Sequence, residues 1–396
     1  MRSHSSPGRS PGFASASRDQ GLKACSKEYV ETSSTDRNAD SKNRILKTWH
    51  WLRAKMKSMK TGLVGLGFMG STHLQAMTRI PQAELVAVMD QDEVRLSGDL
   101  SSIQGNLGGP GLHMDFSAVR KYRSLDEILA DRDVEAIDIC LPTFLHKGVA
   151  IQALRAGKHV LCEKPMALDG SDADAMIAEA DRAGLVLMVA QVLRFFPAYR
   201  ELSRLVNSGE LGQIRSALFR RRTAVPAWGP WELDKDKSGG AIFDLLIHDV
   251  DQSLHLFGVP ETISSTGYED MVHGIDTISS EFHYSSVGQV TITGGWFHRG
   301  DYPFSMEFTV IGDHGVVEYS SAGRPVTVYW SDGCQELLVP EEKDGYQAEI
   351  EYFLDCCRQG CRPEKCPPEE SSLAVKLTKL MVDSREKKGE KVICPY

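Results

Sequence analysis

The stretch from residue 61 to residue 90 constrains the fold of this chain more than any other. A short apolar run, residues 61–64, leads directly into Gly65-x-Gly67-x-x-Gly70. A helix-like segment follows the glycines, and a second apolar run ends at Asp90. This order of strand, glycine-rich turn, helix, strand and acid is the order that a dinucleotide-binding βαβ unit requires.

Each glycine in this stretch has a separate physical role in such a unit. Gly65 permits the tight turn, Gly67 lets a pyrophosphate approach the backbone, and Gly70 lets the helix pack closely on the strand. Phe68 and Met69 open the helix, where unpaired N–H groups and the helix dipole favour phosphate. We therefore expect all five residues to contact a dinucleotide.

Asp90 provides a prediction about which dinucleotide is bound. A carboxylate at the end of the second strand accepts hydrogen bonds from ribose hydroxyls and repels a 2′-phosphate. Arg95, five residues further on, could offset that repulsion. We expect NAD as the cofactor, with NADP as the less favoured alternative.

The composition excludes several classes of protein. The chain has 396 residues, of which 41% are hydrophobic and 25% charged, which is enough for about two domains. A net charge of −9 argues against a dedicated nucleic-acid binder. No apolar run approaches the roughly 18 residues that span a bilayer, so we expect no membrane partner.

The nine cysteines include no C-x-x-C pair. Four of them cluster late in the chain, at Cys356, Cys357, Cys361 and Cys366, but this spacing fits no common zinc pattern. We interpret them as reduced thiols, and we expect no metal and a cytoplasmic location.

Residues 1–58 differ from the rest of the chain. The segment is basic and rich in Ser, Gly and Pro, and it lacks the apolar core of a secretory signal. It could be an organellar transit peptide, a disordered tail, or sequence upstream of a true start at Met56 or Met59. We interpret it as a disordered or mis-annotated N-terminal extension and exclude it from the fold.

The remaining chain divides by pattern into two domains, residues 59–192 and 193–396. The first alternates predicted strands with helices, which indicates an α/β fold with a doubly wound parallel Rossmann sheet. Its predicted strands are 61–65, 84–89, 135–141, 158–162 and 185–190. Asp138 is unusual within an apolar strand, so we expect it to be paired or near a strand end.

The second domain is predicted to be α+β, with a large, mostly antiparallel sheet. Runs with a period of two, such as residues 289–293 and 305–310, predict strands between residues 262 and 339. Its predicted helices are 197–208, 240–257, 344–358 and 369–386.

Glu163-Lys164-Pro165 follows an apolar strand of the first domain. Ligands of doubly wound sheets bind outside the carboxyl ends of the strands, so a lysine here would face the cofactor crevice. The alternative is an ordinary solvated surface lysine.

Asp244 and His248 lie four residues apart in the predicted helix 240–257 and would share one face. A carboxylate that orients an imidazole makes a general base. A purely structural hydrogen-bonded pair and a divalent-metal site are the alternatives.

Together these motifs resemble the glucose–fructose oxidoreductase/inositol dehydrogenase family, Gfo/Idh/MocA, over residues 60 to about 390. Further positions usual in that family match at Pro142, Thr143, His146, Arg194, Phe195 and Pro197. The N-terminal extension departs from the family pattern.

The resemblance implies oxidation of a secondary hydroxyl of a sugar or cyclitol, with hydride passing to nicotinamide C4. His248 would take the hydroxyl proton, Asp244 would orient His248 or bind substrate, and Lys164 would stabilise the reacting oxygen. No metal is implied, because the lysine supplies the electrophilic role. Further cofactor contacts are implied at Pro142, Thr143, His146, Glu163, Lys164 and Arg194.

An inositol-like substrate and a homodimer or homotetramer are also expected. The alternatives are a glycosidase-type reaction with transient oxidation, a nucleotide-sugar dehydrogenase, and a non-catalytic NAD-binding regulator. Substrate contacts are expected between the domains at Lys164, Arg194, Trp228, Trp231, Asp244 and His248.

Two features near these positions have open interpretations. Trp228 and Trp231 lie in a proline-containing loop and could stack on a sugar ring or simply anchor a surface loop. Arg220-Arg221-Arg222 could bind an anionic group, or it could be a strand with one inward residue.

Overall fold

A computed structural model describes residues 58–103, 105, 112–226, 229, 231–270, 272–300, 302–340 and 343–396. Apart from Ser58, the predicted extension 1–58 lies outside the described residues. Within the described ranges, no helix combines the length and the apolar character needed to cross a membrane.

The first domain is built on a six-stranded sheet in which every neighbouring pair is parallel. Its strands are β1 (Met59–Val64), β2 (Ala83–Met89), β5 (Arg120–Tyr122), β6 (Ala136–Ile139), β7 (His159–Glu163) and β8 (Leu187–Ala190), in the order β5-β2-β1-β6-β7-β8. A separate two-stranded sheet pairs β3 (Asp99–Leu100) with β4 (Leu112–His113). The order reverses between β1 and β6, which is where doubly wound sheets bind ligands.

Helices cover both faces of this sheet, as its apolar strands require. They are α1 (Phe68–Met77), α2 (Glu93–Ser97), α3 (Leu125–Ala130), α4 (His146–Arg155) and α5 (Gly170–Ala183). The predicted Rossmann architecture is therefore confirmed.

The second sheet has nine strands in the order β16-β15-β14-β13-β9-β12-β11-β10-β17. They are β9 (Ile214–Ala224), β10 (Thr262–Asp270), β11 (Ile275–His283), β12 (Gln289–His298), β13 (Ser305–Gly312), β14 (Gly315–Ser320), β15 (Arg324–Trp330), β16 (Gln335–Leu337) and β17 (Val392–Ile393). All neighbours are antiparallel except β9 and β12. The predicted mostly antiparallel sheet is confirmed, and the central strand β9 was predicted only at residues 220–222, as one of two interpretations of the arginine run.

The helices of the second half connect the two sheets. They are α6 (Pro197–Asn207), α7 (Lys235–Ser238), a π-helix (Ile242–Leu246), α8 (Ile247–Phe257), α9 (Gly345–Gln359) and α10 (Pro368–Glu386). Helix α9 packs on α1 and β7 of the first domain, and α10 packs on α5, α8 and β10. The last two helices therefore return to the interface between the sheets.

Candidate active site

A cavity of about 810 Å³ lies between the two domains. It is bounded by the glycine-rich turn, the carboxyl ends of the parallel strands, the π-helix and the start of α8. The predicted site residues that line it are Gly65, Gly67, Phe68, Met69, Asp90, Pro142, Thr143, Glu163, Lys164, Trp231, Asp244 and His248.

The three glycines of the turn are constrained in different ways. Gly65 has a φ of +97°, and a Cβ there would lie 2.4 Å from the Cys140 carbonyl oxygen. A Cβ on Gly70 would lie 2.0 Å from the Gly65 carbonyl oxygen, but a Cβ on Gly67 would meet nothing within 4 Å. The first and third glycines thus serve packing, whereas Gly67 leaves open space beside the cavity.

This open space suits a dinucleotide pyrophosphate. Helix α1 begins at Phe68, and no side chain caps its first N–H groups. Those groups are therefore left for an anion at the helix N-terminus. The local geometry fits the cofactor that the glycine pattern predicts.

Asp90 is held firmly at the end of β2. Its Oδ2 accepts a hydrogen bond of 2.7 Å from the Leu66 N–H, and its Oδ1 accepts one of 2.9 Å from the Asp92 N–H. Arg95 Nη1 lies 3.7 Å from the same carboxylate. Each carboxylate oxygen of Asp90 retains a lone pair that can accept a hydrogen bond from a ribose hydroxyl. The positive charge of Arg95 lies beside the same carboxylate.

Lys164 and Asp244 meet across the cavity from different domains. Lys164 Nζ donates to the Asp244 carbonyl oxygen over 2.6 Å and to Asp244 Oδ1 over 2.9 Å. The lysine lies just beyond β7, and the aspartate lies in the π-helix. Lys164, which was expected to face the crevice because it follows a strand end, therefore meets a carboxylate from the second domain.

The predicted contact between Asp244 and His248 is not present in the described structure. The expected α-helix 240–257 contains a π-helical turn at Ile242–Leu246 before α8 begins. A π-helix has i→i+5 hydrogen bonds, so residues four apart no longer stack on one face. Asp244 consequently turns to Lys164, and single π turns of this kind occur frequently at functional sites.

His248 is neutral in this environment. Burial lowers the pKa of His248 well below its ordinary value, and the positive charges of Lys164 and Arg221 lower it further. Its Nδ1 is buried, with no hydrogen-bond partner among the described residues. An uncharged imidazole beside the Lys164–Asp244 pair can accept a proton.

The arginine run follows the interpretation of a strand with one inward residue. Arg221 points inward, where its guanidinium binds both oxygens of Asp249 at 2.9 Å. Arg220 and Arg222 both pair with Glu307. Each of the three guanidinium groups is thus paired with a protein carboxylate, two of them with the same one, which argues against their forming a site for an anionic group.

Three residues predicted to contact the cofactor do not line the cavity: Gly70, which packs against the Gly65 carbonyl oxygen, Arg194 and His146. Arg194 donates to both Asp251 oxygens at 2.8 and 2.7 Å and to Glu370 at 2.5 Å, and its side chain is almost fully buried. Its donors are used within the protein, so we remove Arg194 from the proposed cofactor and substrate contacts.

The third is His146, whose ring nitrogens lie 2.8 Å from the Pro165 carbonyl oxygen and 2.7 Å from that of Leu141. Burial lowers the pKa of His146. It therefore braces two cavity-lining loops from behind. Trp228 lies outside the described residues, so its predicted role stays a prediction.

Several cavity residues carry no local sequence signal. Helix α9 contributes Tyr346, β13 contributes Met306, and Phe304 precedes β13. These residues come from segments far along the chain, and only the packing of the two domains brings them to the cavity.

Sequence reasoning also missed a buried polar cluster below the cavity. His73 Nδ1 lies 2.8 Å from Asp138 Oδ2, which confirms that Asp138 is paired. A ring nitrogen of His73, a carboxylate oxygen of Asp138 and the Cys140 Sγ lie within 4.8 Å of one another. The four late cysteines, by contrast, are free thiols, with Cys361 exposed and the others buried.

Two dehydrogenases resemble the chain over most of its length. Myo-inositol 2-dehydrogenase of Thermotoga maritima is 26% identical over 359 residues, covering 85% of this chain and all of that protein. The NAD-dependent scyllo-inositol 2-dehydrogenase of Bacillus subtilis is 27% identical over 324 residues, covering 77% of this chain and 88% of that protein.

A solved structure shares the fold. Levoglucosan dehydrogenase in complex with NADH and L-sorbose superposes with a TM-score of 0.74 at 19% identity, over 86% of this chain and 100% of that chain. At this level of identity, the likeness shows the common architecture of the two domains.

Sequence models of one family match both halves of the chain. Residues 59–191 match the oxidoreductase family with an NAD-binding Rossmann fold, and residues 199–318 match the C-terminal domain of the same family. The glycine turn, the Glu163-Lys164-Pro165 strand end and the π-helix with Asp244 and His248 all lie within these ranges. The chain is an oxidoreductase that belongs to the Gfo/Idh/MocA family.

Proposed function

We propose that this protein oxidises a secondary hydroxyl of a sugar or cyclitol, with Lys164, Asp244 and His248 as the catalytic residues. The observation that carries the proposal is the meeting of Lys164 with Asp244, beside a neutral His248, in the interdomain cavity. The likeness to inositol dehydrogenases supports a cyclitol of the inositol type as the substrate.

Lys164 is arranged to bind the reacting oxygen. An ammonium group has three N–H donors, and the side chain and carbonyl of Asp244 accept two of them. The third is left for the substrate hydroxyl, where it would stabilise the alkoxide charge that develops as the hydroxyl loses its proton. Preorganised donors of this kind contribute on the order of 3 kcal/mol to transition-state stabilisation.

His248 would act as the general base. Its neutral imidazole accepts the hydroxyl proton, while the hydrogen on the same carbon departs with its electron pair as hydride. NAD, when bound, supplies the hydride acceptor. Asp244 neutralises Lys164 and fixes its direction, rather than orienting the imidazole as the sequence suggested.

NAD is favoured over NADP because Asp90 presents its carboxylate at the end of β2. Pro142, Thr143 and Glu163 line the cavity between the glycine turn and Lys164, so we assign them to the cofactor. The substrate would then lie towards Trp231, Asp244 and His248.

The decisive experiment is reduction of NAD, read by absorbance, with a panel of cyclitols, hexoses and nucleotide sugars. With the best substrate, Lys164→Met should lower kcat/KM at least ~100-fold, because a preorganised donor to the developing charge is lost. Lys147→Met is the matched control, since Lys147 pairs with Asp172 away from the cavity.

Wild-type rates in Lys164→Met would contradict the proposed mechanism. A panel with no activity, in a protein that retains NAD tightly, would favour the glycosidase-type reaction instead. The homodimer or homotetramer expected from the sequence stays a prediction, which light scattering of the purified protein can test.

A further inference from the structure

The cluster around His73 lies directly behind the cavity and has no place in the mechanism above. His73 belongs to α1 and is completely buried. Its two ring nitrogens face carboxylates of two different strands, since Nδ1 lies 2.8 Å from Asp138 Oδ2 and Nε2 lies 3.1 Å from Glu163 Oε1. The contact with Glu163 has the length of a hydrogen bond, although its donor is not well aligned.

A neutral imidazole has one N–H and could donate to only one of these carboxylates. The imidazolium form carries an N–H on each ring nitrogen, so one N–H faces each carboxylate. Burial alone would lower the pKa of His73, but the charge of Asp138 and hydrogen bonds to Asp138 and Cys140 raise it well above its ordinary value. The geometry and the charge balance therefore agree on a positively charged His73.

The other acids around the ring stay uncharged. Glu349 of α9 is fully buried with an oxygen 3.9 Å from His73 Nε2, and neither of its oxygens has a hydrogen-bond partner among the described residues. Burial raises the pKa of Glu349 well above its ordinary value. Burial likewise raises the pKa values of the Cys140 thiol and of the Tyr346 phenol, whose ring centroid lies 6.1 Å from that of His73.

Glu163 connects this cluster to the cavity. It ends β7, lines the cavity, and accepts the Lys164 backbone N–H on Oε2 over 2.9 Å. Burial would raise the pKa of Glu163, but His73 and Lys164 together lower it below its ordinary value. The cavity floor between the glycine turn and Lys164 thus carries one fixed negative charge, which depends on an imidazolium behind it.

We propose that His73 is a positioning residue that holds the ionised Glu163 carboxylate at the cavity floor, where this charge favours the oxidised, positively charged nicotinamide over the reduced one. The inference rests on the proposed function only for the identity of the cofactor. Its consequence is a bias of the binding equilibrium toward the form of the cofactor that begins the oxidation.

The test measures the dissociation constants of NAD+ and NADH by tryptophan fluorescence from pH 5.5 to 9, without substrate. In His73→Gln, the buried Glu163 loses its counter-charge and takes up a proton near neutral pH. The preference for NAD+ should then fall on the order of 5-fold as the pH drops, beyond any change in the wild type. In Glu163→Gln, the preference for NAD+ over NADH should stay at this lowered value at every pH.

The double variant separates this role from general packing. If His73 acts through Glu163, adding His73→Gln to Glu163→Gln should cause no further change in the NAD+ preference. Two controls should match the wild type: Glu349→Gln, which replaces a protonated acid by its isostere, and His113→Gln, which alters an exposed histidine.

A pH-independent, wild-type ratio of affinities in His73→Gln would overturn the proposal, as would an additive double variant. If His73→Gln does not fold, Glu163→Asp keeps the charge but shortens its reach to His73, and should show the same pH dependence. Because no substrate is used, a negative result here leaves the oxidation mechanism intact. An inactive substrate panel, conversely, leaves this measurement valid.

Discussion

His248 controls the pH dependence of the proposed reaction. Because burial, Lys164 and Arg221 lower its pKa well below the ordinary value of 6.5, the neutral base persists on the acid side of neutrality. Falling pH abolishes the base only when the pH passes through this lowered pKa.

We therefore expect kcat/KM to stay level between about pH 6.5 and 8, and to fall only at lower pH. Steady-state rates over that range, with the substrate concentration far below KM, test the expectation. Removing the charge of Arg221 with Arg221→Met should move the acid limb to higher pH, provided that the variant folds. A rate that already declines below pH 7.5 in the wild type would show that His248 is not the base.

A single substitution can test the role proposed for Asp90 in cofactor preference. Asp90→Ser removes the charge that repels a 2′-phosphate and leaves Arg95 available to bind one. We expect the ratio of kcat/KM for NAD over NADP to fall at least ~10-fold. The matched control is Asp92→Ser, which changes the neighbouring carboxylate that caps α2. An unchanged ratio in Asp90→Ser would place the ribose contact elsewhere.

At the scale of elements, the glycine turn contains one glycine needed for binding, Gly67, and one needed for packing, Gly70, only three positions apart. A Cβ on Gly67 would meet nothing, but one on Gly70 would collide with the Gly65 carbonyl oxygen at 2.0 Å. An alanine at Gly67 should therefore impair cofactor binding, whereas an alanine at Gly70 should impair stability.

We expect Gly67→Ala to keep the melting temperature of the wild type and to weaken NAD binding at least ~10-fold, because the methyl group fills the space for the pyrophosphate. Gly70→Ala should lower the melting temperature instead, since the backbone must move. Thermal unfolding without cofactor and NAD titration distinguish the two. Equal loss of stability in both variants would contradict this division.

The first domain could be predicted because its signals are local. The apolar runs, the glycine pattern and Asp90 all lie within thirty residues, and the five predicted parallel strands are mostly apolar. The edge strand β5, which is the polar run Arg120–Tyr122, was not predicted. Strand β9 was predicted only as one of two interpretations of residues 220–222, because its inward positions include Arg221, whose burial depends on Asp249 from α8. A pattern of alternating hydrophobic residues does not reveal a strand in which a buried position holds a charged residue, because the partner of that residue lies in another element.

Three predicted site residues share the cavity, but the contacts between them were not predicted. Lys164, Asp244 and His248 all line the cavity. The expected Asp244–His248 pair assumed a regular α-helix, and a π-helical turn has no sequence signature in a single chain. His73 was likewise invisible, since both of its carboxylate partners are reached only when α1 packs against β6 and β7.

At the scale of the whole molecule, Arg194 ties the segment that follows β8 to two helices of the second domain rather than serving the cavity. Its ion pair with Asp251 of α8 is almost fully buried, and its ion pair with Glu370 of α10 is partly exposed at the glutamate. Removing one member of a buried ion pair leaves an unpaired charge, which costs about 3–5 kcal/mol.

Arg194→Met should therefore lower the free energy of unfolding by about 3 kcal/mol, measured by urea denaturation. The folded fraction should keep its affinity for NAD, because Arg194 does not line the cavity. Arg204→Met provides the control, since the half-exposed Arg204–Glu201 pair contributes less than about 1 kcal/mol. Weakened NAD binding with unchanged stability would restore the role first predicted for Arg194.

The return of α9 to the first domain has a consequence for how this protein could be divided. That helix packs Ile350, Phe353 and Leu354 into one apolar core with residues of α1 and β7. Its Glu349 lies against His73. A fragment ending after β8 would expose this core and admit water to the buried imidazolium. The nucleotide-binding half is thus not a transferable cassette, because its last structural layer is encoded some 150 residues downstream of its sheet.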